Sequence, residues 1–232
     1  MSAPIVIAVD GPAGSGKSSV CRGVAQELNL QYLDTGAMYR ALTLAVLEAG
    51  QDPRNADAVR DVLRTVSIAS VTDPTTPAVL VNGQNVTTQV RGEDVTAAVS
   101  AVSAIAEVRQ ALVNLQRSEV KRAAEAGSGI VVEGRDIGSV VLPDATVKIF
   151  LTADPQVRAE RRAAETVGAE VGATQAQLQA RDAQDAGRQT SPMTQAADAL
   201  VIDTTALSLS EVIQAVCAEI LQTQADSGGA TS

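Results

Sequence analysis

The chain has 232 residues, 45% of them hydrophobic, and carries 18 Lys+Arg against 27 Asp+Glu for a net charge of −9. That length suits one α/β domain with small decorations and is short for two full-sized domains, while the acidic balance and an aromatic set limited to Tyr32, Tyr39 and Phe150 argue against a nucleic-acid partner. The lack of histidine removes Ser–His and Cys–His nucleophilic chemistry.

Residues 5–9 form a short apolar run that reads as a buried strand, and it leads into Gly11-Pro12-Ala13-Gly14-Ser15-Gly16-Lys17-Ser18-Ser19. The pattern is G-x-x-x-x-G-K-[ST]. Its glycines let backbone N–H groups turn inward around an anion at the start of the next helix, where the macrodipole also favours negative charge. Lys17 then reaches the β/γ-phosphates of a nucleotide and the Ser18 hydroxyl is placed to ligate Mg²⁺. Residues 18–28 supply the helix, with Val20, Val24, Ala25 and Leu28 at amphipathic spacing.

Further strands are predicted at 31–33, 130–133, 147–151 and 200–202, and further helices at 37–48, 108–126, 155–166, 176–186 and 210–222. Alternating elements with strands apolar throughout predict an α/β, phosphate-loop NTPase-type three-layer fold, a central five-stranded parallel sheet flanked by helices. Ligands then gather at the carboxyl ends of the strands. Residues 67–93 break the alternation as a small β-rich insertion, with Val79-Leu80-Val81, an Asn82-Gly83 turn and Val86-Thr87-Thr88 as a hairpin. Residues 153–186 read as a helical lid with Gly168 and Gly172 as its hinge. The core is then 1–66, 94–152 and 187–224, and 225–232 is a disordered tail. Cys21 and Cys217 read as small buried hydrophobes, since their separation gives neither a disulfide framework nor metal spacing. No apolar run approaches membrane length and no signal peptide opens the chain, so a cytoplasmic protein without a membrane partner is expected. With no heptad pattern, a monomer is expected.

Arg158, Arg161 and Arg162 stand at i, i+3 and i+4, and Arg181, Asp185 and Arg188 at i, i+4 and i+7. A solvated surface paired with Glu160, Glu165 and Asp182 would produce the same spacing. Yet like charges crowded on one helical turn repel unless an anion lies among them, and phosphoryl transfer needs such groups because charge spreads over the transferred group. No Asn-Lys-x-Asp follows the loop, as a guanine-specific switch protein requires, and no LSGGQ-like stretch supports a transporter ATPase.

Three more stretches, DTGAMYRA (34–41), EGRDIGSVVLPDA (133–145) and RDAQDAGR (181–188), together with the phosphate loop and AADALVIDTT (196–205), closely resemble the bacterial cytidylate kinases in order along the chain. The resemblance implies transfer of the γ-phosphoryl group of ATP to CMP, with dCMP as a second acceptor. It implies that Gly11 through Ser19 bind ATP phosphates and that Thr35, Arg40, Arg135 and Arg188 hold the acceptor phosphate. Arg181 and Asp185 would contact the ribose, and Ser100, Arg109 and Asp136 the cytosine ring. Lys17 and the lid arginines Arg158 and Arg162, with Arg161 beside them and Arg188 opposite, would close over the transferred group. Glu133 stands where family members often carry aspartate. A kinase for UMP, TMP or a small metabolite, and a nucleotide-sensing regulator, remain the competing readings.

Overall fold

The computed structural model describes residues 4–164, 170–188 and 193–229. In chain order, β1 (Val6–Asp10) feeds the phosphate loop into α1 (Lys17–Glu27), and β2 (Gln31–Asp34) runs directly into α2 (Thr35–Glu48). Then come α3 (Ala56–Thr65), an antiparallel set of β3 (Ile68–Val71), β4 (Ala78–Val81) and β5 (Gln84–Asn85), α4 (Glu93–Ser103) and α5 (Ala106–Glu125). The chain continues through β6 (Ile130–Glu133), β7 (Val147–Thr152), the helices α6 (Pro155–Ala164) and α7 (Val171–Ala186), β8 (Leu200–Asp203) and α8 (Leu209–Gly229).

The five-stranded sheet has the order β2-β6-β1-β7-β8, and every neighbouring pair is parallel. Successive side chains on a strand face opposite ways, so each strand feeds two cores. Ile7, Val9, Val131, Ile149 and Leu151 pack with Val20 and Val24 of α1 and with Val212 and Val216 of α8. Ala8, Leu33, Ile130 and Val132 pack on the other face with Met38 and Leu42 of α2, Leu112 of α5 and Val79 and Val81 of the insertion. The predicted three-layer fold is what these two faces produce. Cys21 and Cys217 are free and buried in the first of them.

The insertion covers the open edge of β2, where unpaired backbone groups need partners. Tyr32 N donates to Thr72 O at 2.9 Å, and Gln26 Nε2 of α1 donates to Pro74 O at 3.0 Å. Its hairpin differs from the prediction in register. Asn82 and Gly83 both have positive φ, 50° and 81°, and this two-residue turn puts Gln84 opposite Val81, so the return strand is 84–85 rather than 86–88.

Other differences have equally local causes. α3 and α4 were not predicted. α3 is capped by Asn55, whose side chain accepts from Asp57 N and Ala58 N, and it sets the buried Val59 with Val62 and Leu63 against the core at i, i+3 and i+4, a spacing present in the sequence among its charged neighbours. β8 was expected to be buried throughout; it is the sheet's other edge, with Leu200 and Val201 exposed. Gly172 lies in the first turn of α7 and not between helices, while Gly168 lies outside the described residues. α8 continues to Gly229, so the first residues of the expected tail are helical and 230–232 lie outside the described residues. No single helix among the described residues is long and apolar enough to cross a membrane.

Candidate active site

The phosphate loop leaves β1 at Gly11, whose φ of 146° and close approach to the sheet admit no side chain: a Cβ there would lie 2.1 Å from Leu151 O. Gly16 caps α1 with φ 83° and no side chain bonds to the first turn, so its N–H groups are available to an anion. Lys17 is folded back into the loop, with Nζ donating to Pro12 O at 2.7 Å. Burial and the Arg135 charge lower the Lys17 pKa, and Glu133 opposes them.

Glu133, at the carboxyl end of β6, ties three elements together. Its Oε1 accepts from Ser18 Oγ at 2.7 Å and from the Tyr32 hydroxyl at 2.8 Å, and its carbonyl accepts from Thr35 Oγ1 at 2.7 Å. Oε2 is buried without a protein partner. Burial, reinforced by the charge of Asp34, pushes the Glu133 carboxyl up. Asp34 also caps α2, accepting from Ala37 N at 2.9 Å.

A cleft of about 730 Å³ opens from this loop toward the insertion and α7. Lys17, Ser18, Thr35, Arg40, Arg135, Arg162, Arg181 and Arg188 all line it, so the cationic residues predicted from separate stretches converge. Arg40 Nη1 donates to Val90 O at 3.0 Å and Thr96 Oγ1 at 2.8 Å, which fixes its direction. Burial, followed by the Arg181 and Arg162 charges, lowers the Arg40 pKa to about 10. Burial and then Arg135 lower that of Arg181 to about 10. Like charges gathered so closely favour an anion between them. Asp185, predicted to meet a ribose, lines the cleft but gives both oxygens to arginines: Oδ2 accepts from Arg135 Nε at 3.0 Å and Oδ1 pairs with Arg188.

Farther along the cleft lie Ser100, Arg109 and Asp136. Arg109 and Asp136 form an ion pair with both side chains buried, and the Arg109 guanidinium sits 5.5 Å from the centroid of the Tyr39 ring. Tyr39 and Ser103, whose Oγ accepts from Arg188 Nη2 at 3.2 Å, were missed; nothing in their local sequence distinguishes them from core or helix residues.

Two predicted lid arginines are placed elsewhere. Arg158 does not line the cleft; it grips the outside of the phosphate loop, donating to Ala13 O at 2.9 Å and pairing with Asp182, whose Oδ1 accepts from Ala13 N at 3.0 Å. Gly14 permits this docking, since a Cβ there would lie 2.9 Å from Arg158 O. Arg161 points away and donates to Thr204 Oγ1 at 2.9 Å and Thr204 O at 2.7 Å, joining α6 to the segment after β8. On a helix a step of one residue turns the side chain by about 100°, so Arg161 and Arg162 serve different surfaces.

Residues 7–222 match the family model described as cytidylate kinase. A cytidylate kinase of Streptomyces griseus is 50% identical over 212 residues, 91% of this chain and 90% of the relative. One of Mycobacterium avium is 51% identical over 217 residues, 92% and 93% of the two chains. Among solved structures, a gluconokinase from Sinorhizobium meliloti aligns over 100% of both chains with a TM-score of 0.53 at 14% identity, a likeness of fold alone. A match across most of the sequence, with half-identical relatives of nearly equal length, leads to one conclusion: the chain belongs to the cytidylate kinase family.

Proposed function

We propose that the cleft carries out the phosphotransfer of this family, ATP plus CMP giving ADP plus CDP, with dCMP as a second acceptor. The observation that carries the reading is the convergence of Arg40, Arg135, Arg162, Arg181 and Arg188 with the phosphate loop in one cleft. The loop N–H groups and Lys17 hold the phosphates of ATP. Arg40, Arg135 and Arg188 with the Thr35 hydroxyl hold the phosphate of CMP. An oxygen of that phosphate bonds to the γ-phosphorus while the bond to the ADP oxygen breaks, and the arginines balance the charge spreading over the transferred group. The attacking oxygen is already ionised, so no general base is needed.

Arg109 and Asp136 suit the base. The cytosine amine is a donor that a carboxylate accepts, whereas uracil presents a carbonyl there that it repels. Asp185, at the end of α7 beside the Arg135 and Arg188 that pair with it, is the group assigned to a ribose hydroxyl of CMP. Arg158, by its grip on Ala13, acts on the shape of the phosphate loop rather than on the transferred group. Ser18 and Glu133 offer hard oxygen donors suited to Mg²⁺, and the unpartnered Oε2 fits that use. When bound there, Mg²⁺ neutralises charge on the β- and γ-phosphates.

The test is acceptor profiling. Protein with Mg²⁺–ATP is incubated separately with CMP, dCMP, UMP, AMP, GMP and TMP, and ADP and the new diphosphate are followed by chromatography. CDP forming well ahead of the others, in step with ADP, is the expected result. ATP binding without any diphosphate would move the chain to the regulator reading.

A further inference from the structure

Asp10 ends β1, directly precedes Gly11 and is only 3% exposed. Both of its oxygens accept backbone N–H groups from the segment that follows β6, the strand beside β1: Oδ1 from Ile137 N and Oδ2 from Gly138 N, each at 2.8 Å. Those two residues open a wide helical turn, Ile137–Val141, in which Val140 N and Val141 N both donate to Asp136 O, at 2.9 and 3.1 Å. The neighbours of Asp10 make matching bonds. Val9 O accepts from Gly134 N at 3.0 Å, and Gly11 O accepts from Arg135 Nη1 at 2.9 Å. Three consecutive residues, Val9 and Asp10 at the end of β1 and Gly11 at the start of the phosphate loop, thus hold the segment that carries Arg135 and Asp136.

Of Val9, Asp10 and Gly11, Asp10 alone makes its contact through its own side chain, and its chemistry is costly. Burial pushes its carboxyl up to about 6, the Gly138 and Ile137 N–H groups pull it down, the Asp136 charge pushes it up and Lys17 pulls it down. The carboxylate stands beside another carboxylate, and each of its two oxygens accepts one N–H, where asparagine and serine each offer only one side-chain oxygen. Expense of this kind is characteristic of places where position matters more than stability.

We propose that Asp10 is a positioning residue for the acceptor site, acting through the backbone of Ile137 and Gly138 to fix Arg135 and Asp136 relative to the phosphate loop. The proposal rests on the reading above that Arg135 and Asp136 hold CMP. Asp10 touches neither substrate; it sets where the acceptor lies with respect to the γ-phosphate.

The test uses Asp10→Asn, which preserves volume but turns an NH₂ group toward a backbone N–H. Rates with CMP and UMP, the calorimetric Kd for a non-hydrolysable ATP analogue and thermal melting are measured on the full chain. By analogy with other orienting hydrogen bonds, KM for CMP should rise about tenfold or more while the analogue's Kd changes less than about twofold. A KM for CMP within about twofold of the wild type, or a Kd that rises as much as KM, would overturn the proposal. Asp136→Asn measured in parallel keeps the two readings apart: an unchanged CMP-to-UMP ratio there removes base reading by Asp136, while a raised KM in Asp10→Asn still stands through Arg135. If Asp10→Asn does not fold, Asp10→Ser, which keeps one acceptor, is read by the same criteria; failure of both to fold makes Asp10 a structural residue and overturns the proposal.

Discussion

Replacing Asp136 by asparagine changes one oxygen into an NH₂ group at a site where Asp136 is 5% and Arg109 3% exposed. Two effects follow, and they separate experimentally. The first is on stability: Arg109 loses its ionic partner while remaining buried, and breaking such a pair costs about 3–5 kcal/mol. The Tyr39 ring beneath the guanidinium remains and offsets part of this, so a loss near the lower end of that range is expected. The second effect is on selection. A carboxylate accepting from the cytosine amine discriminates between bases by about 1–3 kcal/mol, and since 1.4 kcal/mol is tenfold, the ratio of kcat/KM for CMP over UMP should fall by about 5- to 150-fold. The amide can turn its NH₂ toward the uracil carbonyl, so part of the fall should come from a gain with UMP. Urea unfolding gives the first quantity, and competition between CMP and UMP in one reaction gives the second. A variant that is destabilised as calculated but keeps the wild-type ratio would refute base reading by Asp136 and leave the Arg109–Asp136 pair a structural feature.

Lys17→Ala should lower kcat by about a thousandfold or more, as loss of a charge from the transferred phosphates demands, with melting little changed; near-normal turnover would remove the loop from the mechanism. Arg161→Ala should lose about 1–3 kcal/mol of stability through its bonds to Thr204, with KM for CMP within about twofold, whereas Arg181→Ala should raise that KM about tenfold; equal kinetic effects would put Arg161 back in the cleft. The carboxyl of Asp10 is pushed from 3.8 to about 6 on folding. Its contribution to stability is therefore fully present below pH 3.8 and is lost as the pH rises through 6. Because about 1.4 kcal/mol attends each pKa unit, the unfolding free energy of the wild type minus that of Asp10→Asn should fall by up to about 3 kcal/mol between pH 4 and 7. Parallel stability curves for the two proteins would contradict the burial argument.

The sequence by itself determined the layered parallel sheet, because uninterrupted apolar strands alternating with amphipathic helices have few other ways to bury both faces. It also determined the phosphate loop, whose glycines, lysine and hydroxyl are contiguous and so fix their own geometry. Arg109 and Ser100 were legible only by resemblance, since an arginine in a helix looks the same whether it meets water or Asp136. The edge position of β8 was decided by neighbours distant in the chain, whereas the Asn82-Gly83 turn that sets the register of the 78–85 hairpin and the Val59, Val62 and Leu63 spacing of α3 were present locally in the sequence. The arginines of α6 divide in the same way. Their spacing in sequence places Arg158, Arg161 and Arg162 on one helix, but only the packing of α6 against Ala13 and Thr204 turns the first to the loop, the second to the β8 segment and the third to the cleft. Asp10 shows the limit most plainly: its partners, Ile137 and Gly138, lie over a hundred positions away and are backbone groups, which carry no residue identity for a sequence to record.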